Sequence, residues 1–194
     1  MKKSKSNIVM FKALYRILAA KTEIVAIDYP PRAYKKAIDT ILKVLEKHDI
    51  QGQKTIAEWP HFTLAYVPTL EKDKLEKIKL AAPAYLSRIT TDKLIVLEGQ
   101  LFPKAYICWQ LKMDETKIKK LISWIDEETG TKQKFEFKPH VSLVMVDIKY
   151  ADRVKEILPE IYDAVKVYKT SYMPEQIQFW GDMQIYDIEN AKYH

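Results

Sequence analysis

Apolar residues recur along this chain with two periods, and the switches between them outline its elements. Residues 24–29 are apolar and β-prone and stop at Pro30 and Pro31, which predicts a strand. Tyr34, Ile38, Ile41 and Leu45 follow at helical spacing, so residues 32–48 predict an amphipathic helix, with Gly52 in the loop after it. Residues 61–67 predict a strand, and residues 71–82 a charged helix with Leu75, Ile78 and Ala82 on one face. Residues 94–98 and 106–111 predict a hairpin whose loop holds Gly99 and Pro103. Asp114 is the expected N-cap of a helix that turns Ile118, Leu121, Ile122 and Ile125 inward and ends at Gly130. Residues 140–146 predict another strand, and Val154, Ile157, Leu158 and Ile161 another helix. Strands over residues 165–172 and 177–187 close the chain. Helices mixed with short strands and hairpins imply an α+β fold.

Charge adds a boundary to this picture. The formal net charge is +6, from 32 basic and 26 acidic side chains. Lys2, Lys3, Lys5, Lys12, Arg16 and Lys21 all fall in the first 21 residues, which hold no acid. The remainder is therefore neutral, which argues against a long nucleic-acid track. Met10, Phe11, Leu14, Tyr15, Ile17 and Leu18 give the basic segment an amphipathic helical pattern. The expected organisation is a basic N-terminal helical segment, 1–22, and a single bilobal domain, 23–194. Lys12 and Arg16 interrupt the apolar stretch 7–20, which is too short to span a bilayer and has no secretory core. No membrane association and no obligate protein partner are expected.

Composition removes further classes. A hydrophobic fraction of 47% excludes intrinsic disorder, and 4 Gly with a single Cys exclude a collagen-like chain or a disulfide scaffold. Cys108 lies in an apolar strand pattern and reads as an inert core residue in a reducing, cytoplasmic setting.

The chemistry lies in a repeat. Residues 60–67 read Pro-His-Phe-Thr-Leu-Ala-Tyr-Val, and residues 139–146 read Pro-His-Val-Ser-Leu-Val-Met-Val. Alternate residues of a strand share a face, so His61 shares one with Thr63, and His140 with Ser142. Simple alternation sends Phe62, Leu64 and Tyr66, and likewise Val141, Leu143 and Met145, to the opposite, core face. Two such strands meeting about a pseudo-two-fold axis bring two imidazoles and two hydroxyls to one cleft. That set suits phosphodiester cleavage: one imidazole accepts a proton, the other donates one, and the hydroxyls hydrogen-bond the non-bridging oxygens. Neither histidine has a second ligand at metal spacing, so no metal or other cofactor is expected. A lone strand histidine is more often structural; the duplication favours catalysis. His48, at a helix end, and the terminal His194 read as structural or solvent residues.

The paired motifs His61-Phe62-Thr63-Leu64 and His140-Val141-Ser142-Leu143 resemble those of the 2H phosphoesterase superfamily. The resemblance implies a LigT-like bilobal fold: two pseudo-symmetric antiparallel sheets, outer helices and a central cleft. It makes His61 and His140 the acid/base pair, has Thr63 and Ser142 hold the phosphate, and implies metal-independent action on 2′,3′-cyclic phosphates, RNA ends or small cyclic nucleotides. The added basic helix resembles that of viral enzymes that degrade the cyclic oligonucleotide signals of bacterial antiphage (CBASS) defence, for instance cGAMP. In that branch Tyr15 and Lys21 match an aromatic and a lysine that hold the nucleotide. A cyclic dinucleotide also needs a cation for its second phosphate and flat partners for its bases. Lys21, Lys12 and Arg16 are candidate cations; Tyr15, Phe102, Trp59 and Trp180 are candidate platforms. Trp109 and Trp124 read as core. Glu175 and Trp180 fall where the last strands return to the cleft. The expected function is cleavage of the 3′–5′ phosphodiesters of cyclic di- or oligonucleotides. The alternatives are an RNA-end 2′,3′-cyclic phosphodiesterase or ligase-like enzyme, and an inactive nucleotide- or RNA-binding protein.

Overall fold

The computed structural model describes residues 22–55, 60–68, 70–99, 103–133 and 137–180. The predicted N-terminal helix, with Tyr15 and Lys21, lies outside them, as do Trp59 and Phe102.

The elements run β1 (Thr22–Asp28), α1 (Pro31–Lys47), β2 (Gly52–Lys54), β3 (His61–Pro68) and α2 (Lys72–Ala81). The chain continues through β4 (Ile89–Glu98), β5 (Lys104–Lys112), α3 (Glu115–Thr129), β6 (His140–Asp147), α4 (Ala151–Val165), β7 (Ser171–Tyr172) and β8 (Gln178–Trp180). Two antiparallel sheets result, ordered β3-β1-β8 and β2-β6-β5-β4-β7.

The helices tie the sheets together by crossing between them. α1 leaves the smaller sheet but packs with α4 against the larger, burying Tyr34, Ala37, Ile38, Ile41, Val44 and Leu45. α3 leaves the larger sheet but packs beneath β3 of the smaller, with Ile118, Leu121, Ile122 and Ile125 inward. Local chemistry sets the ends of α3. The Asp114 carboxylate accepts the Lys117 N–H at 3.1 Å, and Gly130 takes a left-handed φ of 67°. Trp109 is fully buried, edge-on to Tyr162 of α4, and the Trp124 ring stacks on Tyr85 in a half-buried position.

Three expectations need correction. Gly52 opens β2 instead of sitting in a loop, because its missing side chain lets the strand run tight against α1. A Cβ there meets Leu45 Cδ1 at 2.7 Å, Leu42 Cδ2 at 3.0 Å and Val144 Cγ1 at 3.1 Å. Gly52→Ala is therefore expected to cost about 1–3 kcal/mol by overpacking and to lower Tm by several degrees in a thermal melt. Secondly, residues 165–172 do not form one strand. Val165 stacks one helical turn beyond Ile161, and both are fully buried with Val154, so α4 runs on to Val165; Val167 is left 74% exposed and β7 keeps only two residues. Thirdly, β4 starts at Ile89, and its early residues pair with β7. The last strand is described only as β8.

Candidate active site

The repeated motif corresponds to a repeated structure. β3 and β6 belong to different sheets yet lie against each other. Each is preceded by a proline whose carbonyl accepts the N–H that ends the neighbouring strand: Tyr29 N–H to Pro60 at 2.7 Å, and Leu111 N–H to Pro139 at 3.0 Å. Proline has no N–H to return, so both ladders stop there and the histidine is the first residue of its strand.

Both strands carry a β-bulge at the same place. β1 residues Ala26 and Val25 pair with Thr63 and Ala65, skipping Leu64. β5 residues Cys108 and Ile107 pair with Ser142 and Val144, skipping Leu143. Paired residues in an antiparallel ladder share a face. On the regular partner β1, residues 24, 26 and 28 share one face, so Tyr66, Thr63 and His61 share it too. By the same reasoning Met145, Ser142 and His140 share the face of Tyr106, Cys108 and Gln110. This overturns the expectation that Tyr66 and Met145 join the core: the extra residue inverts the alternation, and Tyr66 is 47% exposed on the histidine side. The bulged backbone of β6 is held from behind. Hydroxyls of Tyr34 and Thr55 lie within 3.0 and 3.1 Å of the Ser142 carbonyl, and Thr55 N–H donates to the Leu143 carbonyl at 3.3 Å.

The histidine environments differ. His140 Nδ1 lies 2.6 Å from the Lys138 carbonyl; a carbonyl only accepts, so Nδ1 carries the proton and Nε2 is the basic nitrogen. Burial pushes the His140 pKa below its ordinary 6.5, and proximity to His61 acts in the same direction, while the Lys138 bond opposes. His61 is therefore close enough to influence His140. Gln110 faces His140 across the ladder; the acidic Asp28 faces His61, its carboxylate 3.4 Å from the Gln178 amide.

Each motif hydroxyl has a neighbour. Ser142 Oγ is 3.6 Å from Cys108 Sγ, and burial pushes that thiol up to about 12, so it keeps its proton. Thr63 pairs with the Tyr66 hydroxyl. His61 and Thr63 thus share one face of β3, His140 and Ser142 share one face of β6, and His61 is close enough to His140 to influence it. Glu175 is exposed on the connection 173–177 between β7 and β8, and Trp180 occupies the β8 register position opposite Ile24. Sequence reasoning missed Tyr66. It also missed Gln133, whose side chain accepts from Tyr66 N–H at 3.0 Å and donates to its carbonyl at 3.2 Å. Among the described residues, no three His, Cys, Asp or Glu side chains group as metal ligands, and no helix is long and apolar enough to cross a membrane.

No family model matches the sequence, and no curated protein matches it significantly. Solved structures do match. Usb1 of Kluyveromyces marxianus with uridine monophosphate superposes with a TM-score of 0.55 at 10% identity, over 84% of this chain and 99% of that one. The MHV ns2 PDE domain gives 0.50 at 10% identity, over 83% of this chain and 98% of its own. The fold is that of the 2H phosphoesterases. At such identities the likeness is one of fold alone; in this chain the two motif strands, β3 and β6, lie in different sheets.

Proposed function

We propose that this chain is a two-histidine phosphodiesterase acting on a nucleotide, and that its substrate is a cyclic di- or oligonucleotide. The carrying observation is the unequal histidine pair: His140, neutral with its Nδ1–H fixed on the Lys138 carbonyl, and His61, close enough to influence it. The likeness to a nucleotide-bound Usb1 and to a PDE domain supports the nucleotide and phosphodiester parts of this reading. The cyclic substrate is supported by the sequence: a neutral body with six cations in residues 1–21 suits a compact ligand with more than one phosphate. Degradation of a bacterial defence signal by a viral enzyme is the biological form this takes.

In the mechanism, His140 Nε2 takes the proton from a ribose 2′-hydroxyl or from water. The oxygen attacks phosphorus in line with the leaving 5′-oxygen. His61, across the ladder from Asp28, delivers a proton to that oxygen. Thr63 and Ser142 donate to the non-bridging oxygens as charge builds there. If a 2′,3′-cyclic phosphate forms first, the two imidazoles exchange roles for its hydrolysis.

The test is a substrate panel in EDTA: 3′,3′- and 2′,3′-linked cyclic dinucleotides, cyclic trinucleotides, and an RNA ending in a 2′,3′-cyclic phosphate. Linearisation of a cyclic species is expected. Cleavage of the RNA end alone contradicts the cyclic substrate, and activity abolished by EDTA contradicts metal-free acid/base chemistry. Nucleotide binding with no turnover of any species identifies a binding protein on this scaffold instead.

A further inference from the structure

The two motif strands lie in different sheets, so the separation of their histidines depends on what joins those sheets. At the histidine end the join is a cluster of buried hydroxyls. Tyr29 follows β1, and its phenol reaches the larger sheet, where its oxygen lies 3.0 Å from Thr91 Oγ1 of β4 and accepts from Thr170 Oγ1 at 3.1 Å. The two threonine hydroxyls are 3.3 Å apart, which closes a ring of three. The backbone holds the threonines: Thr91 N–H donates to the Thr170 carbonyl at 2.9 Å, and Thr170 N–H to Thr91 Oγ1 at 3.2 Å. Beside them, the Tyr172 hydroxyl of β7 donates to the Asp28 carbonyl at 2.9 Å, its ring edge-on to that of Tyr29.

This ring joins the two motifs by a continuous path. Tyr29 N–H holds the Pro60 carbonyl, one residue before His61. Its phenol holds Thr91, which pairs across the β4–β5 ladder with Leu111. Leu111 N–H holds the Pro139 carbonyl, one residue before His140. Packing alone does not call for hydroxyls here. Tyr29 and Thr91 are 2% and 1% exposed, so water cannot replace a lost partner, and a buried hydroxyl is costly unless paired. Apolar side chains would fill the space without that cost, but they would let one sheet slide on the other. Burial raises the Tyr29 pKa, so the phenol keeps its proton. Three hydroxyls, each able to donate once and accept once round the ring, fix one separation. Proton transfer at both ends of one phosphodiester depends on it, since a misplacement of about 1 Å costs up to about 100-fold in rate.

We propose that Tyr29, Thr91 and Thr170 form a hydroxyl lock between the sheets that sets the separation of His61 from His140, with Tyr29 and Thr91 as positioning residues for the acid/base pair. This rests on the two-histidine part of the function proposed above. The lock is one-sided: the residue that ends the neighbouring strand is Tyr29 beside the first motif and Leu111 beside the second, and of these the tyrosine alone carries a side-chain hydrogen bond to the opposite sheet.

The test pairs kinetics with a titration that needs no turnover. kcat and KM are measured for the full chain and its Tyr29→Phe, Thr91→Val and Thr91→Ser variants on a 3′,3′-linked cyclic dinucleotide or, where wild type cleaves the RNA end alone, on that RNA. Tyr29→Phe and Thr91→Val each remove one hydroxyl and leave the other two paired, so the fold is kept. Both are expected to lower kcat about 10- to 100-fold with KM within about twofold; Thr91→Ser, which keeps the hydroxyl, is expected to stay within about threefold of wild type. Wild-type kcat in either of the first two variants, a loss confined to KM, or an equal loss in Thr91→Ser overturns the proposal. Separately, the His140 ring is titrated by NMR. Proximity to His61 lowers the His140 pKa, so His61→Ala is expected to raise it. That rise should shrink in a Tyr29→Phe background, where the imidazoles are no longer held together. No rise in the Tyr29 chain, or one of full size in Tyr29→Phe, overturns the proposal. A rise that shrinks in a chain with no turnover of any species upholds the lock and defeats the phosphodiesterase reading.

Discussion

His140→Ala is expected to lower kcat on a nucleotide phosphodiester by about 10²–10⁴-fold, with KM changed far less. The imidazole is half-buried on β6, with its Nδ1–H committed to the Lys138 carbonyl, so the basic Nε2 is the nitrogen available for proton transfer. Burial depresses its pKa below 6.5. The sign follows directly: the neutral, base-competent form persists to lower pH than in a free histidine. The acidic limb of the kcat/KM profile should therefore fall below pH 6.5, and the limb should vanish in His140→Ala. The same shift bears on stability. Above pH 6.5 both folded and unfolded states hold this histidine neutral; as pH falls through 6.5 the unfolded state takes up the proton first, and stability declines. A limb well above pH 6.5 would contradict this environment for the base.

Removing the hydroxyls should be nearly as damaging. Ser142→Ala and Thr63→Val are each expected to lower kcat by about 10²–10³-fold, the range for losing one pre-aimed donor to developing oxygen charge. KM should move little if the bonds strengthen as the transition state forms. The backbone supports this pre-aiming. Tyr34 and Thr55 pin the Ser142 carbonyl, and the Leu143 bulge locks the turn of the strand that sets the direction of the Ser142 side chain. The Cys108 thiol beside Ser142 Oγ keeps its proton at neutral pH, so the serine oxygen has a donor neighbour and its own proton is left for substrate. Steady-state kinetics on the two variants measure this. A loss confined to KM would assign the hydroxyls to ground-state binding alone.

Much of this site was legible in the chain because the duplication wrote it twice. Pro-His-x-Thr/Ser-Leu predicted both strands and, on each, the shared face of imidazole and hydroxyl. The Asp114 cap and the Gly130 terminus of α3 were equally plain, since each has a single backbone requirement behind it. What escaped was the irregularity. A strand read with period two has no place for an extra residue, so Tyr66 and Met145 were assigned to the core. The only trace is the adjacent apolar pairs Leu64-Ala65 and Leu143-Val144, all four buried. In the same way, the β-branched and aromatic residues around Val165 alternate like a strand, but Val165 also continues the helical row of Val154 and Ile161, and tertiary burial decides for the helix. Gln133 carried no signal at all, because its role depends on which edge of the smaller sheet is left open.

The most direct measurement of the central claim is kcat/KM for wild type, His61→Ala, His140→Ala and the double variant on one cyclic dinucleotide in EDTA. Two histidines acting as one acid/base unit predict single losses of about 10²-fold or more, and a double variant scarcely slower than the worse single. Turnover by wild type that survives in either single variant, or losses that simply multiply in the double, would contradict it.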